Sequence, residues 1–338
     1  MTFRRAVVST HRWIGVAAAA LWILQAATGL ICVFHWEIDD AFVSGGRRPT
    51  SFAAIERQLR NIADVQSMWS TAGAPDRYDV FTKRGVLRID GEGNVLRVRA
   101  GDERWKHGAW IDTLVVVHQS LAAGERGRWI IGTSGFFLLT NVILGIIAAW
   151  PGRGQWRRAL VPPKSAPRIA TLYGWHRSLG LWLAVPAVCI VSAGILLAFE
   201  VEVGDARPHV PAGALNVGLR TAIDTAIHRF PNAVVSGVGF PSADDPLWSI
   251  TLKQPGEHQR AYGKTHVFIS ATDGHIAGDI DALRVSPLHR ASDLLFPSHT
   301  GEVAGPIGRL IVFATAAWLL TMIYLGLALF AARRLRRR

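Results

Sequence analysis

Four runs of more than 20 residues without one Asp, Glu, Lys or Arg constrain this chain more than any other feature: Trp13–Phe34, Trp129–Trp150, Ser178–Phe199 and Leu310–Ala332. A bilayer core takes about 20 apolar residues per helix. Buried helices of soluble proteins seldom supply one such run, and four of them point to membrane spans. Trp13, Trp36, Trp129 and Trp150 stand at run ends, where an aromatic belt would place them. Arg4 and Arg5 precede the first run as they would in a signal peptide. That run is too long for one, and Phe34-His35-Trp36-Glu37 offers no small-residue cleavage site, so a retained helix is predicted. Composition agrees: of 338 residues, 50% are hydrophobic and 18% charged, against about 25% charged in soluble proteins. Two cysteines exclude a disulfide scaffold and a Cys-ligated zinc or iron–sulfur domain, and the lack of C-x-x-C-H excludes covalent c-type haem.

The net charge of +12 could signal nucleic acid, anionic lipid or membrane topology. Segments 1–12, 151–177 and 333–338 carry 3, 6 and 5 Lys or Arg and no acidic residue, so they hold +14 and the rest of the chain −2. With four spans all three lie on one side of the bilayer, and the positive-inside rule makes that side, with both termini, cytoplasmic. The basic residues are juxtamembrane and form no soluble binding face, which removes nucleic acid as a partner.

The chain then divides into span one with its cytoplasmic N-terminus (1–35), an outer segment (36–117), span two (118–150), a cytoplasmic loop (151–177), span three (178–199), a second outer segment (200–303), and span four with a basic tail (304–338). Phe52–Ala63 has helical spacing, and Tyr78–Thr82, Val86–Ile89 and Val95–Val98 read as strands. In the second outer segment Leu219–Phe230 reads as a helix, with Val234–Val238, Trp248–Leu252 and His266–Ser270 as strands. Each segment is therefore predicted to be a small α+β domain. The repetition extends into the membrane. His11-Arg12-Trp13-Ile14-Gly15 opens span one, and His176-Arg177-Ser178-Leu179-Gly180 opens span three. Before spans two and four, His118 and His299 each precede an arginine by ten residues, with glycines six and nine residues after the histidine. Two parallel copies of helix, outer domain and helix are expected.

The twelve histidines matter by position. His11 and His176 match at the inner ends of spans one and three, and His118 and His299 match just outside spans two and four. Matched histidines on separate helices suit b-type haem, in which two imidazoles approach the iron from opposite faces. Spans two and four have no inner histidine, so an inner haem would use His11 with His176. On the outer side His35 ends span one and could replace one of the pair, although its counterpart is Glu200. A single histidine at a helix end is ordinarily an interfacial or capping residue. Zinc is disfavoured by the lack of nearby Cys and of H-E-x-x-H. His107, His209, His228, His258, His266, His275 and His289 read as solvated residues. Arg128 and Arg309 could bind haem propionates bidentately; Arg12 and Arg177 fit snorkelling and topology better. Gly15, Gly29, Gly135, Gly145, Gly180 and Gly194 permit close approach of helices or of a cofactor.

The His-Arg-x-x-Gly opening of a span, the paired outer domains and the His-x(5)-Gly-x-x-Gly-Arg motif resemble the PepSY-associated transmembrane family, which includes iron-regulated inner-membrane proteins and ferric-siderophore reductases. The resemblance covers essentially the whole chain. It implies four helices, two periplasmic PepSY-like domains and two b-type haems carrying electrons across the bacterial inner membrane to a periplasmic ferric siderophore or other ferric chelate. It also implies His11, His176, His118 and His299 as haem iron ligands. The extra His35 and the poor match between the two outer segments leave the outer ligand set and the substrate pocket open. No NADH or flavin fingerprint occurs in the cytoplasmic segments, so the donor would be another protein or a membrane quinol. Two rival classes stand beside this reading. One is a non-enzymatic sensor or protease-regulating module, and the other is a haem or metallophore transporter, which the lack of mid-span ionisable residues disfavours.

Overall fold

The computed structural model describes the chain except positions 1, 44, 46–47, 72–73, 164–166, 200–206, 258–260 and 337–338. Glu200 and His258 lie outside the described residues. In chain order the elements begin with α1 (Phe3–Cys32), α2 (His35–Ala41) and α3 (Phe52–Leu59), then β1 (Val65–Thr71), β2 (Ala74–Thr82), β3 (Gly85–Asp90) and β4 (Val95–Ala100). Next come α4 (Ala109–Ser120), α5 (Gly124–Ala149), α6 (Trp156–Leu160), α7 (Arg168–Trp182), α8 (Ala184–Ala198) and α9 (Leu219–Arg229). The chain closes with β5 (Val234–Gly239), β6 (Leu247–Lys253), β7 (Thr265–Ser270), β8 (Ile276–Ile280), α10 (Pro287–Asp293), α11 (Leu295–Thr300) and α12 (Gly305–Leu335).

These elements form two compact units. The first holds Met1–Val33, Leu114–Val201 and Leu295–Arg338. Three of its helical segments, Phe3–Cys32, Gly124–Ala149 and Glu302–Leu335, are long and apolar enough to cross a membrane by themselves. The run Ser178–Phe199, expected as one straight span, is instead divided between α7 and α8, which meet at 64°. Pro186 accounts for the break, since its nitrogen cannot donate to the Trp182 carbonyl and its ring crowds that turn. Trp318 of α12 donates its indole N–H to the Leu179 carbonyl at 2.7 Å, occupying an acceptor just before the break. In this unit α1 packs on α5 and α12, α5 packs on α8, and α7 and α8 pack on α12. Trp13, Trp129 and Trp150 are 55–60% exposed, as suits rings at a lipid interface.

The second unit holds Phe34–Thr113 and Glu202–Leu294. The two outer segments, expected as separate domains, share one antiparallel sheet in the order β4-β3-β2-β1-β5-β6-β7-β8. The join is β1 against β5, with Met68 opposite Val238 and Trp69 opposite Gly237. Pairing removes an exposed edge from each half. Helices α3 and α9 cover one face, where Ile55, Met68, Val80, Ile89, Ala222, Ile223, Val238 and Ile250 form a single core spanning both segments. β1 and β8 are the strands that sequence patterning missed. Trp36, expected in an aromatic belt, belongs to α2 and packs edge-on against Tyr262, with ring centres 6.2 Å apart.

On the opposite face of β2–β4, period-two alternation places Arg77, Arg88, Arg97 and Arg99 on one side. All four are buried, at 3–8% exposure. Helix α2 supplies Asp39 and Asp40 to them. Asp39 accepts from both terminal nitrogens of Arg97 at 2.8 Å and from Arg88 at 2.6 Å. Asp79 of β2 accepts from Arg88 Nε at 2.6 Å, and Asp112 of α4 pairs with Arg99 at 2.6 Å.

Candidate functional site

The first unit brings the four matched histidines together as two pairs. His11 on α1 and His176 on α7 have ring centres 6.0 Å apart with planes inclined at 56°. His118 on α4 and His299 on α11 have ring centres 6.1 Å apart at 31°. His118 and His299 are not on the long helices themselves. Each sits on a shorter helix that turns sharply into α5 or α12, and α5 itself begins at Gly124.

The repeated glycines build that turn. Gly124 and Gly305, six residues after each histidine, have φ of +57° and +58°, left-handed values that disfavour any side chain. Gly127 and Gly308, nine residues after, lie so close to the turn backbone that a Cβ would collide with the Ser120 and Gly301 carbonyls. The His-x(5)-Gly-x-x-Gly-Arg motif is thus a device for folding a histidine back against the span that follows.

Each of the four imidazoles rests on a glycine of the neighbouring helix. A Cβ built at Gly145, Gly29, Gly194 or Gly326 would meet Cε1 of His11, His118, His299 or His176 at 3.1, 2.9, 2.7 and 3.4 Å respectively. Four residues before each glycine, a backbone carbonyl faces the ring's Nδ1. His11 Nδ1 donates to Asn141 O and His299 Nδ1 to Ile190 O, both at 2.9 Å. Gln25 O serves His118, and the His118 Nδ1–H also lies 3.1 Å from the Thr28 hydroxyl. Met322 O faces His176 more loosely, outside strict hydrogen-bond geometry. A carbonyl only accepts, so a bond to it fixes the proton on Nδ1 and leaves the Nε2 lone pair for a metal.

Sequence reasoning singled out Gly29, Gly145 and Gly194 but not Gly326. A spacing signal existed: Gly145 follows Arg128 by 17 residues, as Gly326 follows Arg309. Arg309 Nε donates to the Val33 carbonyl at 3.2 Å, and Arg177 Nε donates to Ala149 O at 3.1 Å. Both guanidiniums therefore reach the C-terminal carbonyls of a neighbouring helix, α1 and α5. Arg128 is half-buried on the first turn of α5. His35 belongs to the other unit, on α2, with its ring 4.5 Å from that of Trp36. His266 and His289, read as solvated, are half-buried. His266 Nδ1 lies 3.2 Å from the Thr251 hydroxyl, and His289 Nε2 lies 3.7 Å from Asp293.

Membrane-length helices, together with an antiparallel sheet unit covered by short helices, define a membrane protein with α+β domains. The family described as the PepSY-associated TM region matches residues 8–333. The chain belongs to that family. No curated protein matches it.

Proposed function

We propose that the chain is a haem b oxidoreductase of the bacterial inner membrane, with four spans in two parallel repeats. It passes electrons from a cytoplasmic protein or membrane quinol to a periplasmic ferric siderophore or similar chelate, which releases iron as Fe(II). The observation that carries this reading is the fourfold recurrence of one arrangement: an imidazole on a glycine, Nδ1 turned to a carbonyl, and a partner imidazole about 6 Å away. Two imidazoles bound at about 2 Å on opposite faces of one iron have ring centres roughly 6 Å apart. Haem needs only two protein ligands, whereas a structural zinc site needs four.

Buried polar atoms support the same fit. Arg12 Nε and Gln25 Nε2, donors near the inner and outer pairs respectively, have no partner among the described residues, and both suit a propionate carboxylate. Haem supplies reversible one-electron transfer when bound. The chain's own contribution is to hold four imidazoles in fixed orientation, fix their tautomer and exclude water from them. The bent α7–α8 pair serves as span three, and the basic segments face the cytoplasm.

Purified protein is expected to show a low-spin, six-coordinate b-type spectrum, and the dithionite-reduced form is expected to reoxidise on adding a ferric trihydroxamate or ferric citrate. A colourless, monodisperse preparation would refute the haem. A haem protein that neither chelate reoxidises would refute the substrate while leaving the cytochrome intact. Gly194→Val separates the pairs: its side chain enters the space of the His299 ring, so about half the haem is lost while the His11/His176 signal persists.

A further inference from the structure

We infer that the cleft between α6 and α7 is a binding site for the phosphate headgroup of an anionic phospholipid. The cleft has a volume of about 450 Å³ and is lined by Arg157, Arg158, Arg177, Tyr173, Val161 and Pro163, among others. That volume lies within the range of roughly 300–1,000 Å³ typical of small-ligand sites. Three arginines line one space and, among the described residues, no carboxylate lines it. The whole segment 151–177 contains no Asp or Glu to neutralise them. A fourth cation stands at the same wall, with the Arg333 guanidinium 6.0 Å from the Tyr173 ring centre. Arg177 is fixed at the cleft by its bond to Ala149 O, which leaves the terminal nitrogens of its fork for a ligand. Uncompensated like charges repel, and an anion that several planar forks grip together relieves that repulsion.

An apolar part of the ligand would also be accommodated, because Val161, Pro163 and Tyr173 line the cleft beside Gly174 and Ser178. A soluble nucleotide fits less well, since among the described residues no carboxylate or amide side chain lines the cleft to read a base. A phosphodiester with its glycerol and acyl roots against the apolar wall satisfies both halves. The cleft lies on the loop that leads into α7; in the proposed topology that loop meets the membrane surface, where lipid headgroups are concentrated. The inference stands independently of the haem reading.

Full-length protein in mild detergent, titrated with phosphatidylglycerol and cardiolipin and followed by native mass spectrometry, tests it. Phosphatidylcholine is the zwitterionic control, and FMN and inorganic phosphate are the soluble anions. Binding of the anionic lipids is expected to weaken about thirty-fold in the double variant Arg157→Ala/Arg158→Ala, with phosphatidylcholine unchanged. Both arginines are exposed on short α6, and the charge reversal Arg158→Glu serves as a second probe. Equal affinity of wild type and variants for phosphatidylglycerol overturns the site. A wild-type preference for FMN or phosphate over phosphatidylglycerol overturns lipid as its occupant.

Discussion

Replacing His11 or His176 by alanine is expected to remove about half of the bound haem and to leave the spectrum of the other site intact. The two residues come from different halves of the chain, yet their rings lie 6.0 Å apart. Each is held from behind by its own glycine and carbonyl. On the proposed reading, a haem held there would lose one of the two residues that would hold it. The double variant His11→Ala/His176→Ala should therefore lose no more haem than either single one, since the pair acts as a unit. Haem content per protein and the low-spin signal measure this, and added imidazole should restore part of it in the single variants. Full retention of both haems in the double variant would remove the inner site from the proposal. The same experiment on His118 and His299 should abolish the complementary half, whereas His35→Ala should leave the content unchanged.

A second large effect is expected in the sheet unit. Asp39→Ala should destabilise it by about 3–5 kcal/mol, the cost of leaving buried guanidiniums without their counter-charge. Asp39 is 7% exposed and binds Arg97 with both carboxylate oxygens while also accepting from Arg88. Burial by itself would raise the Asp39 pKa, but the hydrogen bonds and charges of Arg97, with Arg99 and Arg88, hold the carboxyl below its ordinary range. A carboxylate depressed in the folded state adds stability that is complete above its unfolded pKa. That stability is lost as pH falls through the folded value, so the network should weaken only in acid. Chemical unfolding of wild type and variant, followed by tryptophan fluorescence, checks the magnitude. A difference below about 1 kcal/mol would mean that the cluster behaves as a solvated surface network.

The arginine cluster also shows where one-dimensional reading stops. Alternation correctly puts Arg88, Arg97 and Arg99 on the face opposite Leu87, Ile89 and Val98, and polar residues there are ordinarily expected to meet water. Nothing in the strand pattern says that α2 will cover that face, because α2 lies far away in sequence and carries its own acidic pair. The strands β1 and β8 were missed for a related reason. Val65–Thr71 mixes Gln, Ser and Thr with its apolar positions, and it becomes a strand because β2 and β5 flank it. The single sheet follows from that same β1–β5 pairing between edges more than 160 residues apart.

What the sequence by itself determined was everything set by length, charge and register. Twenty-residue apolar runs locate membrane helices, the all-basic segments predict a common side for three stretches of chain, and the repeated spacing marks His11, His118, His176 and His299 before any coordinates exist. These signals are local or periodic, so the chain displays them without folding. Only the tertiary structure decided that His118 faces His299 on the outer side, that Gly326 completes a fourth cradle, that Arg309 caps α1, and that one run breaks before Pro186. Each of these depends on contacts between helices distant in sequence. Close packing sets such distances, and no spacing along the chain encodes them.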